Sequence, residues 1–423
     1  MIKNSVWQIL SASLIGTTIE FFDFYIYSNA AVLVFPSLFF PISNSTTVML
    51  QSLATFAVAF LARPIGSAFF GHFGDRIGRK ATLVAALLTM GISTVIIGFL
   101  PTYEKIGLLA PLLLILCRFG QGFGLGGEWG GAILLAVENA PPHKKAWYGM
   151  FPQLGAPIGL FLSSGIFVIL SDSLSNEQFF NFGWRIPFIA SSLLILVGLY
   201  VRLTIQETPE FLASAKKIKH EHLPFKTVLK KHSRALILGT LIGVATFVLF
   251  YLTTVFALSW TTSELGLTRR SFLIMQLKSV FFFALFIPIS AFLADHLNSR
   301  IILMLASFFI AGFGLTMAPM LNTYNQPIIF LFLSIGMGLM GMTYGPLGTM
   351  LSKLFPTHVR YTGTSLAFNL AGILGASFTP FIALWVSTNF GVHYVGFYLS
   401  IAAIISLSSL ALSVEKNNCA LKQ

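Results

Sequence analysis

The chain has 423 residues, of which 56% are hydrophobic and only 9% charged, and its mean hydropathy is +0.83. A soluble globular protein carries about 25% charged residues, so the composition excludes a soluble enzyme or nucleic-acid-binding domain, and the net charge of +12 has to be explained by its placement. Two cysteines, Cys117 and Cys419, leave no room for a disulfide framework.

Apolar stretches of about 20 residues between polar punctuation predict twelve membrane-spanning helices. Their approximate limits are 8–35, 49–72, 81–100, 108–137, 147–170, 186–204, 235–260, 271–294, 301–320, 327–351, 362–387 and 393–413. The runs are continuous rather than alternating, which favours helices over barrel strands. The first run is too long for a cleavable signal peptide and is expected to be retained. With a cytoplasmic N-terminus, 19 of the 26 Lys and Arg residues fall in cytoplasmic segments, so the positive-inside rule puts both termini in the cytoplasm. This is an all-α membrane protein, expected in a bacterial inner membrane.

Within the first span, TTIEFFDFYIYS carries Glu20 and Asp23. A charge at the centre of a spanning helix costs about 2.5–3.5 kcal/mol, so each needs a partner or a function. Span two carries Arg63 and is followed by GHFGDRIGRK, residues 71–80. Span four carries Arg118 and, roughly 15 Å further along its axis, Glu128. By depth, Asp23 is predicted to pair with Arg118, and Arg63 with Glu128. Such pairs either neutralise charge between helices or mark an ion or substrate path. The run GQGFGLGGEWGG follows no strand and lacks a Gly-Lys-Ser/Thr ending. It reads as close helix packing, with no ATP site and no cofactor.

Residues 1–204 and 235–423 form two six-span halves, joined by the polar segment 205–234. The segment reads as a solvated basic linker with some attraction for anionic lipid head groups. His220 and His222 lack a third metal ligand, and Asn44-Ser45-Thr46 is an incidental sequon match. After span eight, AFLADHLNSR, residues 291–300, repeats the earlier loop, with Asp295 and Arg300 answering Asp75, Arg76 and Arg79. Lys278 lies roughly 12 Å inside span eight, in a half whose spans hold no carboxylate. It either snorkels to the interface or faces a central cavity, where it would favour an anionic substrate. Gln121, Trp129, Gln153, Tyr25, Tyr27, Tyr251, Tyr344 and Asn369 add polar or aromatic groups within spans. Singly they suit packing; together they suit a small polar metabolite at the interface of two repeats.

GHFGDRIGRK resembles the loop motif of the major facilitator superfamily. IEFFDFYIY, FLARPIGSAFFGHFGDRIGRK, RFGQGFGLGGEWGGA, FGWRIPF, ETPEF and LFPTHVRYTG narrow the resemblance to its metabolite:proton symporters, whose members carry shikimate, dicarboxylates, citrate, or proline and betaine. The resemblance implies two six-helix bundles, alternating access, and a working unit expected to be a monomer, with a small metabolite and protons as partners and no nucleic acid. It also implies proton coupling by Asp23 and Arg118, with Glu20 sharing that work or binding substrate. Asp75, Arg76, Arg79, Asp295 and Arg300 would be gating residues. Lys353 stands where relatives often have Glu, and no coiled-coil tail follows, so osmotic regulation through such a tail is not expected. Proton-coupled export is the competing transport reading, since PQLGAPIGL partly resembles the exporters' Gly-Pro motif. A membrane enzyme or receptor would need a catalytic constellation or sensor domain that the sequence does not display.

Overall fold

The computed structural model describes residues 6–40, 45–77, 79–204, 224–356 and 359–413. Among them all regular structure is helical, the form in which a single apolar segment satisfies its own backbone N–H and C=O groups without water. Span one (Val6–Leu33), span two (Ser45–Ile77), span three (Arg79–Phe99), span five (Lys145–Ser173) and span six (Ile186–Thr204) are single helices. So are span eight (Arg269–Leu297), span nine (Ser299–Leu321), span ten (Gln326–Lys353) and span twelve (Val392–Leu412).

The remaining three spans are irregular. Span four is broken into Leu109–Leu125 and Trp129–Glu138. Span seven (Ser233–Tyr251, then Ala257–Ser263) and span eleven (Arg360–Gly372, then Thr379–Phe390) each contain a π-helical turn, at Leu252–Phe256 and Ile373–Ser377. Such turns insert a residue into the helical ladder and concentrate at functional sites.

Spans one to six pack on one another, as do spans seven to twelve, and the two bundles meet chiefly where span five runs along span eight and span two lies beside span eleven. Span one starts, and span twelve ends, at what is called here the terminal end of the bundle; the opposite side is the far end. Large apolar side chains such as Leu112, Leu116, Phe281 and Phe308 are exposed around the outside, where acyl chains rather than water surround them.

Small residues set the helix spacing. A Cβ on Gly122 would run into the backbone of Ala59, one on Gly126 into that of Arg63, and one on Gly66 into that of Phe123. Spans two and four therefore touch backbone to backbone, the approach that small residues permit in membranes. Gly155 and Gly159 give span five the same access to span one.

Part of the polar segment between the halves is ordered differently from a solvated linker. Pro224–Lys231 is a helix whose Val228 is fully buried against the second half; residues 205–223 lie outside the described residues.

Gly122→Leu is expected to destabilise the protein by about 1–3 kcal/mol or more, as overpacking of a tight contact does. Gly312→Ala, where a Cβ meets nothing within 4 Å, should leave stability unchanged; thermal unfolding of the detergent-solubilised proteins compares the two.

Candidate functional site

The two halves enclose a small cavity of about 40 Å³. The first half lines it with Glu20 and Tyr25 of span one, Arg63 of span two and Trp129 of span four; the second half contributes Tyr251, Tyr344 and Asn369. Phe21, Phe24, Phe60, Phe247, Phe250 and Phe368 complete an aromatic wall. Arg63 is the one cation among the described lining residues, its guanidinium 4.8 Å above Phe24 and 4.4 Å above Phe60. Its Nε makes no hydrogen bond. Trp129 stacks on Phe368 with centroids 3.5 Å apart and donates its indole N–H to Gln153 at 3.0 Å, while Gln153 donates to the Tyr344 carbonyl at 2.7 Å. Gln153 thus ties the two halves together from behind the cavity wall.

The break in span four frees backbone carbonyls beside this cavity, and other spans take them up. Ser67 of span two donates to the Gly126 carbonyl. From span eleven, Tyr361 donates to the Gly127 carbonyl at 2.5 Å, and Asn369 to the Gly126 carbonyl at 3.3 Å and to Ser67 at 3.0 Å. Irregular backbone is tolerated at membrane depth only where protein or a cavity surrounds it.

The charged pairs differ from those read by depth. Asp23 is buried and accepts a hydrogen bond from Ser191 of span six at 2.5 Å, with no ion pair to Arg118. Arg118 lies flat between the Phe24 and Tyr27 rings, 4.2 and 3.9 Å from their centroids, and donates to Gln121 at 3.0 Å. Gln121 in turn donates to Thr94 at 2.8 Å, and Thr94 stands beside Asp23. In place of the expected direct pair, Gln121 and Thr94 stand between Arg118 and Asp23, and the Thr94 hydroxyl itself donates to the Met90 carbonyl at 3.0 Å. The short Asp23 side chain is engaged by the neighbouring span six, and the stacked guanidinium does not reach it.

Arg63 does not pair with Glu128 either. Glu128 forms an ion pair with Arg202 of span six, which also approaches Glu20 at 3.8 Å. Arg202 belongs to no motif and is not among the residues singled out above from the sequence. A long guanidinium two residues inside the helix terminus can reach carboxylates of other spans, and comparing the depths of span-end charges would have suggested it.

Other residues lie elsewhere. Tyr27 is buried away from the cavity and donates to Thr55 at 2.6 Å. Lys278 is exposed, on the helical stripe of Phe281, Leu285 and Phe292, which are also exposed. It faces outward, not into the cavity. Arg300 donates to the carbonyls of Leu410 and Ala411 at 2.8 and 2.6 Å, within its own half. The side chains of Asp75, Arg76 and Arg79 lie outside the described ones.

The two halves also touch toward both ends of the bundle. At the terminal end Asp295 accepts from the backbone N–H groups of Ala146 and Trp147, at 2.8 and 2.9 Å, capping span five from the opposite half. Arg360 lies 3.8 Å from Glu138. At the far end Arg270 pairs with Asp172 at 2.6 Å, and Arg269 donates to Asn176.

Comparison with known proteins agrees with this arrangement. The model of the Major Facilitator Superfamily matches residues 13–377. An inner membrane metabolite transport protein of Escherichia coli (strain K12) is 54% identical over 417 residues, covering 97% of this chain and 95% of that one. The shikimate transporter of the same organism is 37% identical over 406 residues, covering 93% and 91%. A solved structure of the proton:xylose symporter, bound to 6-bromo-6-deoxy-D-glucose, has a TM-score of 0.75 at 17% identity, covering 96% and 95%. At that identity the likeness shows the fold, twelve helices in two bundles.

Arg202→Gln is expected to cost about 3–5 kcal/mol of stability, because it strands buried carboxylates. The double variant Arg202→Gln with Glu128→Gln should recover part of that loss. A double-mutant cycle on thermal unfolding measures the coupling, and additive losses would show the pair to be unimportant.

Proposed function

The chain belongs to the major facilitator superfamily, and from that premise we propose that it takes up a small anionic metabolite together with protons by alternating access. The observation that carries the substrate class is Arg63, a guanidinium at the cavity wall whose Nε has no partner. A planar guanidinium grips a carboxylate through two parallel hydrogen bonds. The aromatic wall would hold the apolar body of the same molecule. With Lys278 outside the cavity, the anionic reading rests on Arg63. A zwitterion is the second reading, favoured by Glu20 and the same rings, since aromatic faces attract a quaternary ammonium.

Asp23 is proposed as the proton carrier. It is buried, its Oδ2 has no hydrogen-bond partner, and a bare carboxylate in a dry interior is costly. A proton removes that charge. When the proton leaves, the Arg118 guanidinium, held beyond Gln121 and Thr94, can move toward the carboxylate and replace it. Such an exchange shifts spans one, three and four together, coupling protonation to the rocking of the bundles.

The positive-inside bias of the sequence makes the terminal end cytoplasmic. Opening inward then breaks the Asp295 cap and the Arg360–Glu138 contact, while opening outward breaks Arg270–Asp172. The proposed working unit is a monomer.

Asp23→Asn is expected to abolish accumulation driven by an acidic exterior while retaining exchange of substrate across the membrane. Uptake into reconstituted vesicles under an imposed pH gradient is the readout, and uphill uptake by the variant would overturn the assignment. Arg63→Gln should raise the half-saturating concentration of a carboxylate substrate by roughly 10- to 150-fold, the value of a hydrogen bond to a charged group. Competition by mono- and dicarboxylates against betaines separates the two substrate readings; inhibition by betaines alone would support the zwitterion.

A further inference from the structure

The helix Pro224–Lys231 sits where the second bundle meets the terminal end. Val228 anchors it, packed with Leu236 of span seven and with Phe355, Val359 and Leu366. At 100° per residue, Phe225 and Leu229 fall on the flank next to Val228, and Lys226 and Lys230 on the side opposite. Phe225 and Leu229 are nonetheless 42% and 44% exposed, and Lys226, Lys230 and Lys231 are exposed as well. Among the described residues none of the three lysines makes an ion pair. Span seven begins two residues further on, and its first turns present Ile237, 58% exposed, to the apolar belt. The uncovered pair of apolar side chains thus lies within a few residues of a span that enters the apolar belt.

An apolar flank beside a basic one, at the edge of that belt, is the pattern of a helix lying in a membrane interface. We propose that Pro224–Lys231 rests on an anionic lipid surface, with Phe225 and Leu229 at the boundary of the acyl chains and Lys226 and Lys230 against phosphodiester head groups. The same helix packs on the start of span eleven, whose first turn carries Arg360, facing Glu138, and Tyr361, bonded to the broken span four. Lipid contact therefore bears on the elements through which the halves touch at the terminal end. The proposal requires only that the chain spans a bilayer and is independent of the substrate class.

The test uses the full chain with Cys117 and Cys419 replaced by serine and one cysteine introduced at position 225, 226 or 229, labelled with an environment-sensitive fluorophore. The protein is reconstituted into vesicles with brominated acyl chains, made of phosphatidylcholine alone or mixed with phosphatidylglycerol. Labels at 225 and 229 should be quenched more than a label at 226, and phosphatidylglycerol should deepen the difference. Replacing Lys226 and Lys230 by glutamine should remove that dependence, at about fivefold in membrane partition per lysine, and high salt should mimic the replacement in the unsubstituted chain. Equal quenching at all three positions, or indifference to phosphatidylglycerol, would overturn the proposal. So would inorganic phosphate reproducing the change in phosphatidylcholine vesicles, because a free anion rather than a lipid surface would then be the ligand.

Discussion

Two carboxylates three residues apart on span one are carried into an apolar bundle, and much of the first half is arranged around neutralising them. Span six serves both: Ser191 bonds Asp23, and three turns away Arg202 meets Glu20 and Glu128. One acid is left with a hydroxyl and the other is placed near a cation. Buried ion pairs add little net stability compared with apolar packing, so a fold selected for stability alone would gain little by keeping them.

A second constraint follows from the backbone. A broken helix in a membrane exposes carbonyls that lipid cannot satisfy, and the break in span four is completed by side chains from both bundles. The cavity therefore forms where the first half depends on the second. Trp129 begins the helix after the break and closes against Phe368, so a parting of the bundles would alter the backbone hydrogen bonding and the aromatic wall together.

The bilayer makes the spans legible, because length and hydropathy along one axis decide them. That span one is functional was legible too, through two acids that only a partner or a function could justify, although Glu20 alone lines the cavity and Asp23 faces span six. Partner choice was not. Depth supplies a single coordinate, whereas contact also needs azimuth and reach. Lys278 sits at a plausible depth but on the outward stripe, whereas the buried stripe of span eight carries the small polar set Gln276, Ser279 and Ser290. Arg118 matched Asp23 in depth, yet ring stacking and Gln121 take its guanidinium. Arg202 was hidden by the rule that makes basic residues at span ends unremarkable. The break in span four was concealed because glycines that signal close packing and glycines that precede an interruption look alike in sequence.

The two ends at which the halves touch are built from different materials. At the terminal end a carboxylate holds backbone N–H groups at a helix start, a short-range contact that does not depend on which side chains stand at positions 146 and 147. At the far end the corresponding contact joins Arg270 and Asp172, each more than half exposed. Mobile ions screen an exposed pair far more than a sheltered one. Ionic strength therefore bears more on the Arg270–Asp172 pair of the far end than on the carboxylate-to-backbone contact of Asp295 at the terminal end.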